Sequence, residues 1–315
     1  MRRRPFRISP FRIVLIGQSS VIPAILLAVV SFLVVYAWPA IRFNGVGFLV
    51  GNTWSLGNLY ADPIEVHRTL VAPGAGYGIL FLIVGTLASS ALAALIAVPV
   101  SILVAIVLAE GAPPRLRPPL SLIVEVLAVV PSVVYGLWGV IVLAPLIARL
   151  AAYAGGSASG FGLLTSALVL ALMIAPIITA TIYSALRRIT SQDKEAAYAL
   201  GAMKFEMAVR TMVPAVRGSI VGGVMLGVGR ALGETMAVLM VSGGAINQLP
   251  RTLMSPISTM ASFIVSQLDS AEQDPSGLAV RSLAEIALVL FIVTVLVNGI
   301  ARLIAGRDAG LTARR

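Results

Sequence analysis

Cysteine is absent from the 315-residue chain, histidine occurs once, and lysine occurs only as Lys194 and Lys204. The first absence excludes disulfides and thiolate metal sites, and one histidine cannot by itself supply a metal-ligand cluster. That histidine, His67, falls in a polar loop, where a solvated surface residue is the ordinary reading and a proton relay the rarer one. A phosphate-cradling loop needs glycines followed by Lys-Ser or Lys-Thr. Lys194 precedes Glu195 and Lys204 precedes Phe205, so the chain is expected to be no ATP-hydrolysing enzyme. Charge is scarce as well, at 11% of residues, against about a quarter in a soluble domain of this size.

What is present is apolar. The chain is 58% hydrophobic, in long runs that recur from end to end, which places it among multi-pass membrane proteins of all-α class. A span needs about 20 apolar residues to cross a core of about 30 Å. Six runs qualify, at 19–40, 77–109, 119–148, 163–186, 218–243 and 281–304. MRRRPFR before the first run resembles the basic start of a signal peptide. The run is long, however, and no small-x-small cleavage site follows, so an uncleaved span is expected.

The net charge of +10 does not point to nucleic acid, because the basic residues gather at the ends of spans. With the N-terminus inside, 17 of the 23 fall on the cytoplasmic side, among them Arg2, Arg3, Arg4, Arg7, Arg12, Arg314 and Arg315. Arg42, Arg68, Arg149, Arg251 and Arg281 fall outside. The organisation expected is a cytoplasmic segment 1–18, a first helix and outer loop 19–76, a membrane domain 77–305 and a cytoplasmic tail 306–315. The setting is the cell (inner) membrane with its lipid. The outer segments 41–76 and 244–280 are longer than connection needs. The second has apolar positions at helical spacing, which suits a helix on the surface or one folded back between spans.

The longest inner connection, about 187–217, is charged and helix-forming. Ser191 is placed to cap a helix, Gly201 to break it and Pro214 to end the next. Composition alone allows a solvated connector. Glu195-Ala196-Ala197, three residues, Gly201 and later Pro214 add more, since they resemble the EAA loop of ATP-binding-cassette importer permeases. Thr211 and Val213 stand where that pattern has isoleucine and leucine. In that family the loop forms a coupling helix seated in a cleft of the ATPase. The resemblance implies that role for Glu195, Ala196, Ala197, Gly201 and Pro214. Small alanines permit close approach, and glycine permits a sharp turn.

The fifth run holds GRALGETMAV and with it Arg230 and Glu234. Either charge in hydrocarbon costs about 2.5–3.5 kcal/mol on insertion scales. On a continuous helix the two lie about 40° apart, so an intrahelical ion pair is expected. Gly218, Gly222, Gly229 and Gly233 form a nearby stripe suited to close helix packing. A structural ion pair between helices and an anion site on a translocation path both remain open from these residues. Arginine's planar fork of donors suits phosphate oxygens, and Glu234 can accept from a protonated one.

YGILFLIVGTL, VPSVVYGLWG, GRALGETMAV and SPISTMASFI together resemble the PstC-type phosphate importer permeases, from about residue 75 to 305. That resemblance puts the family's functional arginine and glutamate at Arg230 and Glu234. It implies a type I (MetI-like) permease fold with no cofactor or metal on this chain. It also implies a heterodimer with a PstA-like sister permease, two PstB-like ATPase subunits using ATP-Mg, and an external PstS-like phosphate-binding protein. The same architecture could instead carry phosphonate, sulfate or molybdate. A proton- or sodium-coupled secondary transporter would leave the EAA loop unexplained.

Other polar groups fall inside the spans. Glu125 is expected to pair with a basic loop residue or a partner chain. Thr179, Thr181 and Ser184 are expected to bond back to their own helix. Pro99, Pro131 and Pro176 interrupt spans two, three and four, and Glu285 is expected at headgroup level.

Overall fold

A computed structural model describes residues 10–66, 69–153 and 159–312. His67, Arg68, Arg314, Arg315 and the arginines among the first nine residues lie outside the described residues. The described chain is mostly helical. α1 (Pro10–Asn44) extends the first apolar run at both ends. α2 (Leu80–Ile106) continues through a π turn, Val107–Gly111. α3 (Arg117–Val129) and α4 (Ser132–Trp138) follow, and the π turn Gly139–Leu143 joins α4 to α5 (Ala144–Tyr153). α6 (Leu163–Leu186) coincides with the expected fourth span. α7 (Ser191–Ala199), α8 (Arg217–Leu232), α9 (Met236–Val241), α10 (Met260–Glu272) and α11 (Leu278–Thr312) complete the order.

Five helical stretches are long and apolar enough to cross a membrane: Gly17–Asn44, Leu80–Gly111, Ser132–Tyr153, Leu163–Leu186 and Leu278–Leu303. A sixth is counted if α8 is joined to the turns Lys204–Ala215 across a 74° bend. Two of the expected spans are therefore corrected. The run 119–148 is divided at Val130, which adopts φ −55° and ψ 130° because a residue before proline is pushed out of the helical region. The Tyr135 hydroxyl bridges this break, donating to the Leu127 carbonyl at 2.8 Å. The run 218–243 is divided between α8 and α9. With 16 residues α8 is about 24 Å long, short of the bilayer core.

α6 is the pillar of the bundle, and α2, α8 and α3 all pack on it. Its Leu170, Ile174, Ile178 and Ile182 recur every fourth residue and are fully buried. α2 meets this stripe with Ala93 and Ala97, whose small side chains let the backbones close in. Ser101 Oγ on α2 donates to the Ala175 carbonyl of α6 at 3.0 Å, next to Pro176.

The glycines that admit α8 to α6 are Gly223 and Gly227, not the stripe expected from the sequence. A Cβ at Gly227 would lie 2.9 Å from Ile178 Cδ1, and one at Gly223 would lie 3.2 Å from Thr181 Cβ. At Gly218 or Gly222 it would meet nothing, at Gly229 only the Asn298 amide, and at Gly233 only carbonyls of its own preceding turn. The helix is rotated so that the 223–227 edge, continued by buried Ala231, faces α6, and the expected stripe points away from it.

The segment 244–280 folds back against the bundle. Thr259 caps α10, and the Met260 amide donates to Thr86 Oγ1 on α2 at 2.9 Å. Phe263 packs edge-on against both Trp54 and Phe81. Asn247, at φ 62°, accepts from the Trp54 amide at 2.5 Å and donates to its carbonyl at 3.2 Å, so one side chain ties the two long connecting segments together. Glu285 is corrected too. It is 5% exposed and not a solvated surface group, because α1 runs on to Asn44, whose Nδ2 donates to Glu285 Oε2 at 2.8 Å.

The close approach of α2 to this folded-back segment makes a test. A Cβ at Gly85 would overlap the main-chain carbonyl of Ser258, which cannot swing aside as a side chain does. Gly85→Ala should cost about 1–3 kcal/mol, read as a lower melting temperature in detergent. Gly222→Ala should be neutral or slightly stabilising. Equal effects from the two would contradict this packing.

Candidate functional site

Arg230 and Glu234 flank the interruption between α8 and α9. Gly233 (φ −93°, ψ 1°) and Thr235 (φ −106°, ψ −63°) both leave regular helix geometry. The local cause is legible in the chemistry. Glycine is a weak helix-interior residue, and Glu234 Oε1 accepts the Ala237 amide at 3.2 Å. That amide would have bonded to Gly233 in a continuous helix, so the carboxylate replaces a backbone bond and starts α9.

The expected Arg230–Glu234 ion pair is consequently not formed. Among the described residues the one ion pair is Lys194–Glu110. Arg230 instead occupies the last turn of α8, where the negative end of the helix dipole favours a cation. Glu234 precedes the first turn of α9, where the positive end favours an anion. Arg230 is exposed in the single chain. The arrangement presents a guanidinium fork free of any carboxylate partner, with a hydrogen-bonded carboxylate four residues on. Such a pair can take a tetrahedral oxyanion and accept from a protonated oxygen.

The loop from α6 to α8 forms the second feature. Thr190, rather than Ser191, caps α7, with φ −69°, ψ 155° and its Oγ1 accepting the Asp193 amide. Gly201 stands at φ +84°, a conformation that favours glycine, and there the chain reverses. Pro214 does not end the next helix. The turn Lys204–Met207, the π turn Ala208–Met212 and the turn Val213–Ala215 carry the helical path past it, and the chain bends at Val216. Glu195 and Ala196 are exposed and Ala197 is half-buried.

Sequence reasoning missed the loop's most distinctive residues. Leu200, Met203 and Phe205 are 90%, 71% and 66% exposed. They form an exposed apolar group around the tight turn. The signal was three such residues bracketing Gly201 in a connection between spans. The structure also joins α7 to the π turn that ends α2, because Lys194 Nζ lies 2.5 Å from Glu110 Oε1. Of the other polar groups, the Thr181 hydroxyl bonds back to the Ile177 carbonyl at 2.9 Å, whereas Glu125 has no ion-pair partner among the described residues.

Residues 97–307 match the family model described as "Binding-protein-dependent transport system inner membrane component". The chain is 43% identical over 304 residues to "Phosphate transport system permease protein PstC 1" of Mycobacterium tuberculosis, covering 91% of this chain and 89% of that protein. It is 38% identical over 298 residues to the PstC permease of Pasteurella multocida, covering 90% and 87%. Among solved structures it resembles a chain of the MetNI methionine ABC transporter, with a TM-score of 0.52 at 17% identity over 73% of this chain and 94% of that one. A bacterial ABC transporter involved in alginate import gives a TM-score of 0.53 at 16% identity over 72% and 79%. These two likenesses concern the fold.

The Lys194–Glu110 contact is half-buried, at 25% and 15% side-chain exposure. Lys194→Met should therefore destabilise the protein by about 1 kcal/mol, more than a fully exposed pair and less than a deeply buried one. Adding Glu110→Lys to Lys194→Glu should recover most of the melting temperature that either loses alone. Failure of the exchange to recover it would show that the pair is not what joins α7 to α2.

Proposed function

The chain belongs to the family of binding-protein-dependent transport system inner membrane components, and on that premise we propose that it is the permease subunit of an ATP-driven importer of inorganic phosphate. The observation that carries this reading is the unpaired guanidinium of Arg230 at a helix break in a membrane-spanning chain. A lone cation costs several kcal/mol in hydrocarbon, so it must face a polar space. Its exposure in the single chain suits a passage completed by a second permease subunit. The phosphate transport permeases that it resembles at 34–43% identity name the cargo.

In this reading phosphate delivered by an external binding protein meets Arg230 as the passage opens. The negative end of α8 and nearby Glu234 keep the hold weak, so that cargo is released. Glu234 accepts a hydrogen bond from a protonated phosphate oxygen, and its own tie to the Ala237 amide fixes its position. ATP hydrolysis occurs in a separate subunit. Glu195, Ala196, Ala197 and the reversal at Gly201 form the seat for that subunit, with Leu200, Met203 and Phe205 as its apolar contacts. Both termini lie in the cytoplasm, and a PstA-like sister chain, two PstB-like ATPases and a PstS-like binding protein complete the assembly.

Reconstitution in liposomes with these partners tests the proposal. Arg230→Gln should abolish ATP-dependent phosphate uptake while the complex still assembles. Normal uptake would reject the path-site role, and uptake of sulfate in place of phosphate would reject the cargo. Gly201→Val forces a β-branched residue into the left-handed region, and it should eliminate ATP hydrolysis stimulated by the binding protein. Retained stimulation would reject docking at this loop.

A further inference from the structure

A cavity of about 430 Å³ lies between α3 and α6, with Leu108 at its rim. α6 is otherwise among the most apolar helices of the chain, yet Thr179, Tyr183, Ser184 and Arg187 all line this one cavity. From the facing wall α3 contributes Ser121 and Glu125. Polar groups turned to a common space at the inner end of the bundle make a wet cavity with room for a charged occupant.

The occupant is not supplied by the chain. Among the described residues neither Arg187 nor Glu125 enters an ion pair, and the hydroxyls of Thr179 and Ser184 make no hydrogen bond. Arg187 rests above the Tyr183 ring at 6.0 Å, which holds the guanidinium in place without using its donors. Ser121 is spent, since its hydroxyl donates to the Pro118 carbonyl at 3.0 Å. One wall therefore offers a cation and two free hydroxyl donors, and the other offers a free carboxylate.

We propose that this cavity is a second oxyanion station on the path, in which Arg187, Thr179 and Ser184 take hydrogen phosphate and Glu125 accepts from its protonated oxygen. The inference rests on the transport reading above and adds a place that reading does not contain. A water takes about 30 Å³, so the cavity holds a tetrahedral anion together with several waters and keeps it partly hydrated. A hydrated anion on one arginine is held weakly, as a station before release requires. α3 links the two stations. Tyr135, on α4, donates to the Leu127 carbonyl of α3, two residues beyond Glu125. Glu125 makes the station selective, because a carboxylate accepts from an oxyanion that carries a proton and repels sulfate, which carries none.

The absence of cysteine makes a direct test possible. Ala180 lines the cavity without belonging to the proposed ligands. Ala180→Cys in the assembled complex in nanodiscs gives this chain a single thiol, whose labelling by a water-soluble maleimide is read on the separated permease band. Inorganic phosphate at millimolar concentration should slow labelling severalfold. Sulfate at equal ionic strength should leave the rate unchanged, and Arg187→Gln should remove the protection. With Glu125→Gln added to Ala180→Cys, sulfate should protect as well. The station is overturned if phosphate gives no protection, if protection survives Arg187→Gln, or if sulfate protects equally with Glu125 intact. Phosphate uptake by the unsubstituted complex reconstituted in liposomes separates the two readings. Uptake without protection removes this station alone, and absence of uptake removes the transport reading.

Discussion

A charged guanidinium in a membrane-spanning bundle is tolerated only where something polar faces it, and the organisation around Arg230 follows from that constraint. The break between α8 and α9 gives each charge a helix end of the favourable sign, Arg230 at a C-terminus and Glu234 at an N-terminus. Had the helix continued, the two side chains would have neutralised one another across a single turn. By taking the Ala237 amide, Glu234 is held away from that role, and the arginine keeps its donors for another partner. Half-helices meeting at a charged break are a recurrent way to place an ion site inside a membrane protein.

Rigid packing gives this break a fixed address. α6 stands at the centre, and α8 approaches it through Gly223 and Gly227, with contact distances that leave no room for a side chain. Of the remaining glycines of α8, Gly218 and Gly222 meet no neighbour in the single chain, whereas Gly229 is turned toward Asn298 of α11. At the other end of the bundle the loop carrying Glu195 is tied to α2 by Lys194 and Glu110, and α2 is itself packed along α6. In the proposed function, movement imposed on that loop by an ATPase reaches the core through this half-buried ion pair and the π turn that holds Glu110.

Much of this was legible in the sequence, and the parts that were not have physical causes. Apolar length located α6 to the residue, whereas α1 begins nine residues before its expected run and α11 ends eight residues after, because a helix can run on past its apolar stretch. Length could not reveal that Pro131 and Gly233 divide two apolar runs, since a broken run and a continuous one have the same composition. Which glycines of α8 meet α6 was not legible for a related reason. Several registers of one glycine-rich helix satisfy the same spacing, and only the partner's position, here that of α6, selects 223 and 227. Burial of Glu285 depended on α1 reaching Asn44, a tertiary fact with no local signature. The tight turn at Gly201 was readable because a left-handed backbone has its own residue preference. The apolar cluster beside it has no such marker, because exposed and buried apolar residues read alike in a sequence.

The central claim is that residue 230 faces a watery passage between subunits and not acyl chains. It is tested most directly by a nitroxide attached at Arg230→Cys in the assembled complex, the permease having no other cysteine. Collisional relaxation by a water-soluble nickel chelate is compared with relaxation by membrane-soluble oxygen. The account predicts that the nickel chelate dominates, as at an aqueous surface site. Dominance of oxygen, with the chelate excluded, would place the side chain in lipid and contradict the account.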